Sequence, residues 1–227
     1  MKKTSAGKLI SAMVIVVCLA ASPVAGLADP NIAPGLRFID PYTLAGAKNF
    51  LTDYPPRAPG GLAQVVIEIP AGTNDKWEVV EPEGVLRWEE KNGKPRVVKY
   101  IAYPGNYGMV PGTLGGDGDP LDAVVLGPAL PRGAVVQVKV IGVLKLIDRG
   151  EQDDKLIAVL RAGPLWGVNS LAELEQKFPG VKTIVETWFR NYKGPGKMES
   201  QGYADAAEAR KVLTAAIQDF AGHGKKK

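Results

Sequence analysis

Three carboxylates crowd a six-residue stretch, Asp117-Gly118-Asp119-Pro120-Leu121-Asp122, placed between Gly115-Gly116 and the apolar run Ala123–Leu126. Adjacent acids repel one another, so a cation is their natural compensation. With only oxygen ligands on offer, that cation would be a hard ion such as Mg²⁺ or Mn²⁺. The stretch is not an EF-hand loop: counting from Asp117, position 5 is Leu121, position 6 is Asp122 and position 12 is Pro128, where that loop needs an oxygen ligand, Gly and Glu. Taken alone, the segment also reads as a solvated turn with an Asp cap.

A second acidic group follows. Asp148 ends a long β-branched stretch, and Asp153 and Asp154 open the next apolar run, with Lys155 immediately after. If residues 134–147 and 155–160 form a hairpin, the loop between them brings Asp148 and Asp153 to one rim. A plain salt bridge is the competing account of Lys155 beside these acids. Hard cations together with Lys and Arg instead describe a phosphate site, where metals neutralise oxygens and generate hydroxide while basic groups hold the phosphoryl charge. Lys76 and Glu78 are two residues apart on a strand pattern and so share a face. Glu68 interrupts an otherwise apolar strand, which is odd unless that face meets something polar. Each is also compatible with an ordinary strand position.

The elements that must position these groups are mostly strands. Residues 65–69, 76–80, 85–88, 96–101, 122–126, 134–147 and 155–160 read as strands bounded by turn residues, and Gly142 within the longest suggests a bulge. Helices come later. Ser170 and Glu173 form a capping box. Val181, Ile184, Val185, Trp188, Phe189 and Tyr192 make one helical stripe. Residues 205–220 read as a third helix, with Ala209, Val212, Leu213, Ala216, Ile217 and Phe220 inward. Strands first and helices later predict an α+β fold around one β core, a small barrel or sandwich. Residues 29–62, rich in Pro, Gly and Ala, read as an extended lead-in. The expected division is 1–28, 29–62, one domain over 63–222, and a basic tail at 223–227.

Composition limits the chemistry. The chain has 227 residues, 28 Lys+Arg, 24 Asp+Glu, one His and one Cys. A single Cys excludes an intrachain disulfide framework and a Cys-based zinc site, and His223 beside a Lys-rich end is a poor triad member. The first 28 residues carry Lys2, Lys3 and Lys8, an apolar run over 9–21 and small residues up to Ala28. That is the pattern of a secretory signal peptide, and the run is short for a membrane span of about 20 residues. Cleavage after Ala28 would remove Cys18 and leave 25 basic against 24 acidic residues, a net of +1. Lys225, Lys226 and Lys227 supply +3, which leaves the body of the mature chain at about −2. A periplasmic or secreted product without a stable membrane anchor is therefore expected.

With these motifs in order, the chain resembles the family I soluble inorganic pyrophosphatases from about Val65 to Lys197. VVIEIP at 65–70 is similar to the family's first strand, and Lys76-Trp77-Glu78 to its Lys-aromatic-Glu element, with Trp77 in place of the usual Tyr. Tyr103-Pro104-Gly105-Asn106-Tyr107-Gly108 resembles its Tyr-Pro-x-Asn-Tyr-Gly turn, and Asp117–Asp122 its signature. Gly142–Lys145, Asp148, Asp153 and Lys155 keep its spacing, and Tyr192-Lys193 closes the set.

The resemblance implies an OB-like five-stranded β-barrel core with packed C-terminal helices, and Mg²⁺-dependent hydrolysis of pyrophosphate to two orthophosphates, with Mn²⁺ a second candidate ion. It implies that Asp117, Asp122 and Asp153 hold a first metal, Asp122 also a second, and Asp148, Asp153 and Glu68 further ions. Asp119 would be the general base. Lys76, Arg96, Tyr107, Lys155, Tyr192 and Lys193 would hold phosphate, with Glu78 and Tyr103 lining the site. Arg87 and Lys94 compete with Arg96 for the arginine role, and Tyr192 also fits a core position. A homo-oligomer is expected. Two other readings remain at this point: a related hydrolase of tripolyphosphate or nucleotides, and a non-catalytic OB-like binding module. A nucleic-acid partner is not expected, because the acidic residues would repel its backbone.

Overall fold

The computed structural model describes residues 32–223. The signal-peptide segment with Cys18 and the Lys225–Lys227 end of the tail lie outside the described residues. The strands are β1 (Arg37–Asp40), β2 (Thr43–Ala45), β3 (Arg57–Ala58), β4 (Leu62–Ile69), β5 (Trp77–Val80), β6 (Val85–Trp88), β7 (Glu90–Lys91), β8 (Lys94–Pro95), β9 (Asn106–Met109), β10 (Asp122–Leu126), β11 (Val135–Asp148), β12 (Glu151–Gln152), β13 (Lys155–Leu160) and β14 (Met198–Asp205). The helices are α1 (Leu171–Lys177), α2 (Val181–Asn191) and α3 (Ala206–His223). This is the α+β arrangement expected. Among the described residues no helix is long and apolar enough to cross a membrane.

The main sheet runs β12-β11-β13-β10-β9-β4-β3, with β14 on β11, and β11 also pairs with β4. The pairings among β11, β13, β10, β9 and β4 therefore return on themselves. Only β10 and β13 are parallel; the other pairs are antiparallel. A smaller sheet runs β1-β2-β6-β5.

These strands are apolar on both faces because each face meets a different core. Ala123 and Val125 of β10 and Leu156, Ala158 and Leu160 of β13 enter one cluster, which Ala209, Leu213 and Ala216 of α3 cover. Val124, Leu126, Ile157 and Val159 enter a second, packed by Leu171, Leu174, Val185, Trp188 and Phe189 of α1 and α2. In β11 the phase changes midway: Val136 and Val138 face the first cluster, then Ile141, Leu144 and Leu146 face the second. The register shift between Val140 and Gly142 makes that switch. Gly142 is required there, since a Cβ would lie 2.3 Å from Leu171 Cδ1 and 2.9 Å from the Ala204 carbonyl.

Three expectations change. Residues 96–101 do not form a strand; Val97 makes only an isolated bridge to Asp75. Val98 and Tyr100 give up their carbonyls to the Asn74 side chain instead. The described part of the lead-in is folded: Ala33, Leu44, Phe50 and Leu51 share a third core with Trp77, Val79 and Leu86. Its irregular sequence hid this because the strands are short and the burial comes from loop residues. On α2, Ile184 belongs to the apolar stripe yet is 56% exposed, because only the Val185, Trp188 and Phe189 side meets the core.

The Ser170 hydroxyl accepts the Glu173 amide as a cap, while the Glu173 carboxylate receives the Asn169 amide, one residue earlier than a reciprocal box. Trp188 is 1% exposed, stacks on Tyr192 at 4.5 Å and donates its indole N–H to the Ile101 carbonyl at 2.8 Å. Trp188→Ala is expected to destabilise the fold by about 3–5 kcal/mol. Urea unfolding checks this, and a loss under about 1 kcal/mol would contradict the packing described.

Candidate active site

The acidic and basic groups arrive at one cleft of about 650 Å³ from separate elements. Glu68 comes from β4, Lys76 from just before β5, Glu78 from β5, and Tyr107 from β9. Asp117 and Asp119 sit on the turn before β10, and Asp122 opens that strand. Asp148 ends β11, Asp153 lies just before β13, Lys155 opens that strand, and Tyr192 and Lys193 follow α2. Arg96 reaches it from the segment after the β7–β8 hairpin, whose Asn92-Gly93 turn takes positive φ at both residues. Of the residues to which the resemblance gave a site role of their own, only Tyr103 is missing from the cleft wall. It is buried behind Tyr107 and Tyr192, 4.2 Å from Trp188 between ring centres, so its role is to back the site.

The parallel pairing of β10 with β13 sets Asp122 directly beside Lys155. The antiparallel pairing of β10 with β9 places Tyr107 opposite Val124, one turn of the pleat away. Gly108 lets β9 approach β4 this closely, since a Cβ there would lie 1.8 Å from the Val66 carbonyl oxygen. The Tyr107 hydroxyl donates to Asp122 Oδ2 at 2.5 Å. The Lys155 ammonium, 2% exposed, lies between the carboxylates of Asp122 and Asp153 and bonds both. Lys76 Nζ lies 3.4 Å from Glu78 Oε2, Lys193 Nζ lies 2.6 Å from Asp148 Oδ2, and Arg96 Nη1 lies 2.7 Å from both carboxylate oxygens of Glu89.

Burial pushes the Glu68 carboxyl up to about 8, although Lys76 and the Val79 amide oppose this; that amide donates to Glu68 at 2.7 Å. Burial also pushes Asp117 up to about 6, aided by Asp153 and opposed by the Asp119 amide. Asp119 is raised by desolvation in the cleft and then by Asp122 and Glu78. Burial alone would raise Asp153 too, but Lys155 outweighs it and holds the carboxyl below its usual range. For Lys155 the balance is the mirror image: burial would lower the ammonium, and Asp122 and Asp153 hold it charged. Tyr192 is pushed up to about 12 by burial, against Lys155 and Lys76.

Several cleft residues had not been singled out. Glu89 and Glu81 line it; of the two competitors for the arginine role, Arg87 lines it and Lys94 does not. The signal for Glu89 was its position two residues after Arg87, on the same face of the strand pattern. Its pairing with Arg96 was not readable, because it depends on the β7–β8 hairpin turning the chain back.

The acidic side chains suit a hard divalent cation. All their donors are oxygens, and Asp148 Oδ1 is buried with no hydrogen-bond partner. Among the described residues no three acidic, His or Cys side chains converge on one point as placed. Lys155 instead satisfies Asp122 and Asp153.

The inorganic pyrophosphatase family model matches residues 65–221, a span that takes in the whole cleft. The chain belongs to the inorganic pyrophosphatase family. An inorganic pyrophosphatase of Gluconobacter oxydans is 39% identical over 160 residues, covering 67% of this chain and 88% of that one. The pyrophosphatase of Leifsonia xyli is 37% identical over 169 residues, covering 70% and 96%. Among solved structures, a type I inorganic pyrophosphatase from Toxoplasma gondii superposes with TM-score 0.72 at 32% identity, covering 76% of this chain and 87% of that one. A truncated vacuolar soluble pyrophosphatase from Trypanosoma cruzi, in complex with PPi, gives 0.70 at 26% identity, covering 85% and 80%. In this pyrophosphatase family member the match leaves out β1–β3, the lead-in strands that complete the smaller sheet and support β4.

Proposed function

We propose that this chain hydrolyses inorganic pyrophosphate to two orthophosphates by attack of an activated water. The observation that carries this reading is a single cleft, in a chain of the pyrophosphatase family, that interleaves carboxylates with Lys76, Arg96, Lys155 and Lys193. A small, highly charged phosphoanhydride needs both kinds of group: acids to recruit cations, and bases to hold phosphoryl oxygens.

Asp117, Asp122 and Asp153 would hold a first divalent ion, Asp122 also a second, and Asp148, Asp153 and Glu68 further ions. Mg²⁺ is the ion typical of the family, and Mn²⁺ offers similar ligand chemistry. When bound, such ions lower the pKa of a ligated water and neutralise phosphoryl charge. Asp119 receives the proton of the attacking water, since its carboxylate accepts no hydrogen bond from the described residues and opens to the cleft. Arg96, Lys76, Lys155 and Lys193 orient the phosphate groups, and Tyr107 and Tyr192 offer hydroxyls. Chemistry of this type requires no Ser, Cys or His nucleophile, which suits a chain so poor in them.

The finer architecture belongs to the same proposal. The returning cycle of β11, β13, β10, β9 and β4 reads as the OB-like barrel, with β4, β10, β11 and β13 each directing side chains into a shared core. Residues 63–222 form the catalytic domain, and residues 1–28 direct export to the periplasm or medium, with a soluble homo-oligomer as the product. The motif residues 1–28 support export, and cell fractionation with N-terminal sequencing of the product tests it.

The activity is tested on residues 29–227 by phosphate release from pyrophosphate with Mg²⁺. Release is expected to fall to background with excess EDTA and to return when Mg²⁺ is restored. No release with Mg²⁺ present would overturn the reading. Faster turnover of tripolyphosphate or a nucleotide would replace the substrate while leaving the chemistry.

A further inference from the structure

Asp154 stands between Asp153 and Lys155 yet takes no part in the cleft that both of them line. It lines a smaller cavity of about 210 Å³ that adjoins the cleft at Asp117, Asp122 and Asp153, together with Gln152 and, from α3, Val212 and Asp219. Its side chain is 7% exposed. A carboxylate buried to that degree needs partners. Lys145 Nζ lies 3.5 Å from Asp154 Oδ2, and the Gln152 amide donates to Asp154 Oδ1.

Both partners connect to elements that carry the site. The Gln152 amide also reaches the Leu146 carbonyl at 3.3 Å on β11. Gln152 backs directly onto Gly116 of the acidic turn, where a Cβ would lie 3.0 Å from Gln152 Cβ and 3.1 Å from its carbonyl. Lys145 lies 3.9 Å from Glu208 in the first turn of α3, and Asp205 caps that helix by accepting the Glu208 amide at 2.9 Å. A polar chain thus runs from α3 through Lys145 and Asp154 to Gln152, which packs against Gly116 of the acidic turn. Lys145, Asp154, Gln152 and Glu208 do not line the cleft.

We propose that Asp154, held by Lys145 and Gln152, is a positioning residue that fixes how Asp153 and Lys155 project into the cleft and thereby sets the affinity of the acidic site for divalent cations. Successive side chains in an extended segment point to opposite sides, so anchoring residue 154 on one side determines the aim of 153 and 155 on the other. A few tenths of an ångström in aim matter to cation binding, and outer partners of this kind are worth about 10- to 100-fold in metal affinity. The inference rests on the proposed cation role of the acidic residues.

The test compares Asp154→Asn and Lys145→Met with the parent protein, each over residues 29–227. Mn²⁺ binding is measured by calorimetry, the Mg²⁺ concentration for half-maximal phosphate release by titration, and unfolding by urea in EDTA. Mn²⁺ affinity is expected to weaken roughly tenfold in both variants, and half-activating Mg²⁺ to rise alongside. Turnover at saturating Mg²⁺ should stay within about twofold. Unchanged Mn²⁺ affinity would overturn the proposal, even if the urea midpoint falls, because a merely structural role moves only the latter. If Lys145→Met does not fold, the near-isosteric Asp154→Asn decides alone. A parent protein that binds Mn²⁺ but releases no phosphate would defeat the catalytic reading and leave the calorimetric comparison decisive here.

Discussion

Asp119→Asn is expected to lower turnover of pyrophosphate by about 10²- to 10⁴-fold, the range associated with loss of a positioned general base. The substitution removes the proton acceptor while keeping size and shape. The fold has little reason to respond. The Asp119 side chain is exposed to the cleft, and the turn is held by its backbone: the Gly115 amide donates to the Asp119 carbonyl at 2.6 Å, and the Asp119 amide to Asp117 Oδ1 at 3.2 Å. Stability is therefore expected to change by less than about 0.5 kcal/mol. The measurement is steady-state phosphate release at saturating Mg²⁺, with urea unfolding as the control. Turnover within about threefold of the parent would remove Asp119 from the mechanism. The neighbouring acids give a contrast: Asp119 lacks the protein partners that Asp122 and Asp153 have in Lys155 and Tyr107.

Lys155→Met is expected to destabilise the fold strongly, by an amount that depends on divalent ions. In EDTA the loss should be about 3–5 kcal/mol, because two carboxylates remain in a nearly dry site without their counter-charge. Lys155 is 2% exposed, Asp153 10% and Asp122 19% by side chain, so water cannot readily take over. Millimolar Mg²⁺ or Mn²⁺ should recover much of that loss, since any ligand that binds only the folded state stabilises it. Activity should not recover to the same extent. Loss of a charge-assisted contact to phosphate costs about 1.5–3 kcal/mol, so kcat/KM should remain lower by roughly 10- to 100-fold at saturating metal. Urea midpoints with and without Mg²⁺, beside kcat and KM for pyrophosphate, check both halves. A variant equally stable in EDTA would show that Lys155 does not balance Asp122 and Asp153.

The chemistry of the site was legible in the residue order. Hard oxygen ligands on a Gly-rich turn, a carboxylate within an apolar strand, and Lys beside acids could be read without coordinates, because these choices are locally costly and make sense only around charge. The strands β4, β10, β11 and β13 and the helices were also legible, since burial of two faces or of one helical stripe leaves a periodic record. Gly142 marked its bulge in the sequence, although what requires glycine there is tertiary: a Cβ would meet Leu171 of α1 and the Ala204 carbonyl.

Other features depended on the tertiary structure. The strand expected at 96–101 gave way because Asn74 takes the Val98 and Tyr100 carbonyls, a side-chain contact with no signature in the segment itself. β9 and β14 were missed because their residues serve the site and the bulged edge more than an alternating pattern. Tyr103 carried a motif position but sits behind the wall, packed against Trp188. The Glu89–Arg96 pair and the Asp154–Lys145–Gln152 clamp likewise required pairing between distant strands. Sequence alone determined which charges this chain holds and why cations and phosphate suit them. Tertiary structure decided which side of each strand those charges occupy, because a side chain's neighbours across a sheet are set by register and bulges, and these arise from packing over the whole core.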